Sequence, residues 1–182
     1  QTCALPISSI ISLEPLSKDE EGFDSSKRNW HYLRGIDKKT GKTKWIAKDA
    51  TTYYCTSVLG QLPNGDWAIV HGRGGPHDVP ERPIGLSMTS VMPATAGKTV
   101  WRWDADALPG GPVDGVTFQA LYTMTWDKKY ACWFRNAPEE SHLLFDAQTG
   151  KLLKTQSLIK NVDFRQWDPV KKDYIVHKNV NI

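Results

Sequence analysis

Three short stretches repeat one turn signature, and this constrains the fold more than any other feature of the chain. They are Gly35-Ile-Asp37-Lys-Lys-Thr40-Gly41-Lys-Thr-Lys-Trp45, Ala94-Thr-Ala-Gly97-Lys-Thr-Val-Trp101 and Phe145-Asp146-Ala-Gln-Thr149-Gly150-Lys-Leu-Leu-Lys154. The glycines Gly41, Gly97 and Gly150 lie 56 and 53 residues apart. A near-constant period of this size, among strand-forming residues, marks an array of supersecondary units. Each stretch reads as a tight turn: an Asp or Thr side chain bonds the turn backbone, and Gly supplies positive φ. A second signature alternates with the first, in Leu62-Pro-Asn64-Gly65-Asp-Trp67, Trp126-Asp127-Lys-Lys-Tyr130 and Trp167-Asp168-Pro-Val-Lys-Lys-Asp173-Tyr174. Asn-Gly between apolar runs is a strong hairpin signal. Each period therefore holds two hairpins and four strands.

The pattern predicts an all-β chain, a partial β-propeller of four-stranded antiparallel blades. Two full blades are expected at 53–104 and 116–158, with partial blades at 29–49 and 161–182. Within the full blades the strands fall at 53–62, 66–72, 83–92 and 98–104, then at 116–126, 129–135, 141–146 and 151–158. Residues 8–28 read as a polar, mobile lead-in carrying one strand. Residues 1–7, Gln1-Thr-Cys-Ala-Leu-Pro-Ile7, match one reading of a common sequencing adapter and are expected to be a non-native scar. Fewer than three full blades cannot close a ring. Unpaired edges then predict aggregation, or a need for further blades of the same chain as partners.

Composition narrows the classes. In 182 residues the net charge is +3, and basic pairs such as Lys38-Lys39 and Lys171-Lys172 fall at predicted turns, so no nucleic-acid partner is expected. No apolar run is long enough to span a membrane as a helix. Eight tryptophans suit sheets stacked face to face. Cys3, Cys55 and Cys132 have no metal-ligand spacing, and the latter two sit in strand-like runs as buried thiols.

At the first turn the sequence resembles the PQQ-type (pyrroloquinoline-quinone enzyme) propeller repeat, whose pattern is close to Ala-x-Asp-x-x-Thr-Gly-x-x-x-Trp. Asp37, Thr40, Gly41 and Trp45 fit, with Gly35 in the Ala position. The second copy keeps Gly97 and Trp101 but has Pro93 and Ala96 at the Asp and Thr positions. The third keeps Asp146, Thr149 and Gly150 but has Lys154 for Trp. The resemblance covers residues 29–182. It implies that Trp45 and Trp101 dock against the neighbouring blade, and that the protein is periplasmic or extracellular. It does not select an activity, because the repeat serves enzymes and scaffolds alike.

A four-stranded meander alternates its connections between two ends. Every tight turn falls at one end, and the long polar loops 71–83, 104–115 and 135–142 fall at the other, where binding is expected. His71, Arg73, His77, Asp78, Glu81, Arg82, Arg135 and Asn136 are the candidate ligand-binding residues. Arginine forks suit the oxygens of an acidic or sugar-like small ligand. His71, His77 and Asp78 could ligate a metal, although no HxH or HExxH spacing supports one and none is expected. Three functions remain open. The first is a non-catalytic propeller that binds a ligand or partner, with no cofactor. The second is part of a quinone-dependent dehydrogenase, which would add PQQ and calcium. The third is a sulfotransferase-like propeller enzyme using His71 or His77.

Overall fold

The computed structural model describes residues 9–27, 29–51, 56–73, 85–105, 125–135 and 141–181. The described chain is all-β, with thirteen strands in four antiparallel sheets and none of the sheets closed. The first sheet joins β1 (Ser9–Pro15), β2 (His31–Asp37) and β3 (Thr43–Thr51). The second joins β4 (Val58–Gln61), β5 (Trp67–Arg73), β6 (Gly85–Ser90) and β7 (Thr99–Asp104). The third joins β8 (Thr125–Trp126), β9 (Tyr130–Arg135), β10 (Ser141–Asp146) and β11 (Leu152–Ser157). The fourth is the hairpin of β12 (Val162–Asp168) and β13 (Asp173–Val180). Each sheet is a meander, because consecutive strands pair with one another.

The lead-in strand is β1, which pairs along its whole length with β2, so the first sheet has three strands where the sequence predicts two. The segment that follows folds over the outer face of this sheet. Leu16 is buried there, and the buried Arg34 donates to Glu20 Oε1 at 2.9 Å and to the Pro15 carbonyl at 2.8 Å. Arg34 stands on the face opposite Leu33, which looks into the stack.

The second sheet is the middle layer. Its inner strands β5 and β6 are buried almost throughout, and alternation sends their side chains to two different neighbours. Ala68, Val70, Leu86 and Met88 pack against Ala131, Trp133, Leu143 and Phe145 of the third sheet. Ile69 packs against Leu33, Ala47 and Ala50 of the first. The apolar interface is aromatic at its centre: Trp103 meets Phe145 and Trp133 edge-on, with centroids 4.9 and 5.9 Å apart.

The recurring turns build the contacts between sheets. In the first, Gly41 N–H donates to the Asp37 carbonyl at 2.8 Å, and Asp37 Oδ1 accepts from Lys39 and Thr40 N–H. In the third, Gly150 N–H donates to the Asp146 carbonyl at 2.9 Å, and Asp146 Oδ1 accepts from Thr149 N–H and its hydroxyl. The middle turn differs from its sequence reading. Gly97 N–H donates to the Ser90 carbonyl, so Ser90, not Pro93, stands where the others have Asp. Three extra residues lengthen this turn, and the Ser90 and Thr95 hydroxyls bond each other at 2.6 Å in place of the carboxylate cap.

One irregularity is common to all three of these hairpins. The pairing skips Lys44 between Gly35↔Trp45 and Ile36↔Thr43, then Val100 between Met88↔Trp101 and Thr89↔Thr99, then Leu153 between Leu144↔Lys154 and Phe145↔Leu152. A bulge bends its strand and re-aims the next side chain. Here the next side chain is Trp45, Trp101 or Lys154. Trp101 crosses to the third sheet, donates from Nε1 to the Ala147 carbonyl at 2.9 Å, and lies where a Cβ on Gly150 would come within 2.5 Å of its ring. Trp45 crosses to the second sheet and lies against Gly97. On the first strands of the second and third sheets, Trp126 of β8 covers Gly60 of β4.

Candidate functional site

Between the first and second sheets lies a polar seam. On β5 the side chains of Ile69, His71 and Arg73 share the face toward the first sheet. Register sets three cross-strand rows on this face. Thr89 of β6 stands beside Ile69 and Thr99 of β7 beside Thr89; Ser87 stands beside His71 and Arg102 beside Ser87; Gly85 stands beside Arg73 and Asp104 beside Gly85.

The third row explains its own glycine. A Cβ at Gly85 would lie 2.0 Å from the Trp103 carbonyl oxygen, so only Gly fits so close to the neighbouring strand. With no side chain on β6 at this point, Arg73 reaches across the strand and pairs through Nη2 with Asp104 Oδ1. The chain of charges continues outward. Arg102 bonds Asp104 Oδ2 at 3.3 Å and Asp49 Oδ1 of β3 at 3.0 Å, and Thr99 donates to Asp49 Oδ2 at 2.7 Å. Two cations and two carboxylates tie the second sheet to the first. Burial lowers the Arg73 pKa although Asp104 opposes the shift. The bond to Asp49 raises Arg102. Burial works to raise Asp49, but the bonds from Thr99 and Arg102 outweigh it and hold the carboxyl below its ordinary value.

The first and middle rows carry polar atoms with no partner among the described residues. His71 is fully buried, and its Nδ1 lies 2.6 Å from Ser57 Oγ. His71 Nε2, Ser87 Oγ and Thr89 Oγ1 are buried and have no bonding partner among the described residues. Burial pushes the His71 imidazole down to about 3, so the ring is neutral at physiological pH. A neutral ring tethered at Nδ1 presents Nε2 as a donor or acceptor fixed in direction.

These positions revise the sequence reading. His71 and Arg73, placed there in a polar loop, are buried residues of strand β5, because the strand runs on to Arg73 through pairing with β6. Arg135 closes β9 opposite Ser141. His77, Asp78, Glu81, Arg82 and Asn136, with most of the three long loops, lie outside the described residues, as does Cys55. Cys132 is half-buried on β9. Among the described residues no cluster of three or more His, Cys, Asp or Glu side chains could hold a metal. Among the described residues no helix is long and apolar enough to cross a membrane. The seam partners Asp49, Ser57, Ser87, Thr89 and Arg102 were missed as site residues. Ser87 and Thr89, alternating with Leu86 and Met88 in β6, were the available signal. No family model and no curated protein matches the chain.

Proposed function

We propose that this chain is a segment of a PQQ-like β-propeller, completed by further blades and exported to a periplasm or beyond the cell. Its role in this reading is to bind an acidic or sugar-like small ligand, or a protein partner, on the face from which the long loops leave. The observation that carries the reading is the polar seam. The β5 face that holds Arg73 and His71 runs to Arg73 at the end of the strand, and on it His71 Nε2 and the neighbouring Ser87 Oγ are buried with no partner among the described residues. Buried polar atoms without partners cost stability, and their persistence at a strand end points to use. The contacts of Trp45 and Trp101, from the first two of these hairpins to the sheet that follows, support the blade reading, since both run from one unit to the next. The exposed apolar hairpin β12–β13 supports completion by further sheets.

The test is thermal unfolding of the full chain against inorganic sulfate, phosphate and gluconate. A ligand at about a hundred times its Kd stabilises by about 2.7 kcal/mol, a readable shift in Tm. The expected result is stabilisation by at least one of these anions, weakened about tenfold in His77→Ala and Arg82→Ala, whose unliganded Tm should match the parent. A flat response to all three, with no change in either variant, would remove the small-ligand reading and leave the scaffold.

A further inference from the structure

On the opposite face, among the tight turns, lies a groove of about 280 Å³. Its origin is the longer middle turn: the three extra residues between Ser90 and Gly97 raise one wall, and the β4–β5 turn raises the other. Leu62, Trp67 and Val100 are its apolar lining, and Asp66, Lys98 and Gln148 are polar. Val100 is the residue skipped by the pairing of β6 with β7, and the bulge leaves it exposed. Gln148 comes from the third sheet; its Oε1 accepts the Asn64 N–H at 3.2 Å, which fixes the amide and leaves its NH2 to donate. The groove therefore spans two sheets and includes groups from both.

We infer that this groove binds the ring of a neutral sugar. An indole and the exposed Val100, over the buried Leu62, suit the C–H face of a pyranose. A carboxylate, an amide and an ammonium around them supply acceptors and donors for its hydroxyls. The charges of Asp66 and Lys98 cancel, so nothing selects an anion or a cation. Small-molecule sites span roughly 300–1,000 Å³, and at about 280 Å³ this groove falls just below that range, which admits one ring and excludes an extended chain. The site is independent of the loop-face reading, since it shares no residue with the seam except Thr99 at its margin.

Saturation-transfer NMR on the full chain with methyl β-D-glucopyranoside tests it. At about 10 mM glucoside the ring C–H protons are expected to receive saturation, consistent with millimolar affinity. Asp66→Asn and Gln148→Ala, both at turn positions, should each weaken binding by about threefold or more while leaving the amide spectrum folded. Absence of transfer to the glucoside would overturn the inference, as would equal transfer in the parent and both variants. Transfer to free lysine in its place would overturn the sugar assignment and make the groove a site for zwitterions.

Discussion

At the scale of single residues, the turn glycines divide into two kinds that the sequence makes look alike. Gly41 and Gly150 both have positive φ, at 69° and 72°. A Cβ on Gly41 would meet nothing within 4 Å, whereas one on Gly150 would drive into the Trp101 ring. Gly41→Ala should therefore cost only the backbone strain, about 1 kcal/mol. Gly150→Ala should cost that plus the displacement of Trp101 from Ala147, together about 3 kcal/mol or more. Urea unfolding of the two variants measures the difference. Equal losses would mean that the tryptophan contact contributes nothing. Gly85 belongs to a third kind, required by a neighbouring backbone and not by its own torsion angle.

At the scale of elements, the β12–β13 hairpin is the one two-stranded sheet of the described chain. Trp167 and Tyr174 meet edge-on at 5.2 Å on one face, and Phe164 stacks on His177 at 4.6 Å on the other. Half or more of the surface of Trp167, Tyr174 and Val176 remains exposed. A lone two-stranded hairpin is marginal in water. Its amides should exchange with solvent well before those of β5 and β6 in hydrogen-exchange mass spectrometry, and Trp167→Ser with Val176→Thr should reduce aggregation while leaving the main unfolding transition in place. Protection of the hairpin equal to that of β5 would contradict this.

The strands and turns were legible because each rests on local chemistry: Asp146 and Thr149 close their own turn, as Asp37 and Thr40 do. The bulges before Trp45, Trp101 and Lys154 were not, since a skipped residue changes no residue type, only the pairing across the strand. Nor was the role of Ser90, because counting back from Gly97 lands on Pro93 when the turn is three residues longer. His71 was misplaced for a related reason. A histidine beside Gly72 and Arg73 looks like the start of a polar loop, and only the partner Ser87 on β6 reveals a strand with a buried polar face.

At the scale of the whole molecule, the neutral His71 links stability to pH. Its folded pKa, about 3, lies below the ordinary 6.5. Below pH 6.5 the unfolded chain takes up a proton that the native chain refuses, so stability is full above that pH and falls as pH drops toward 3. The slope approaches about 1.4 kcal/mol per pH unit. His31, also depressed by burial, adds to it. The depressed carboxyls act at lower pH, Glu20 first as pH nears its ordinary 4.5 and then Asp146 and Asp49, so the interval from pH 6.5 to 5.5 isolates the histidines. Equilibrium unfolding across that interval should show the slope in the parent and a shallower one in His71→Gln. An unchanged slope would place the linked proton elsewhere.

The middle sheet meets the third sheet through apolar contacts and the first through an apolar cluster edged by ion pairs, and the apolar and ionic contacts answer to different solvents. Cooling weakens the Trp103–Phe145 side, where the attraction comes from water released by apolar surface. Added salt leaves that side intact and screens the more exposed outer pairs of Arg102 with Asp49 and Asp104. Brine and cold would thus pry the same stack apart through different contacts.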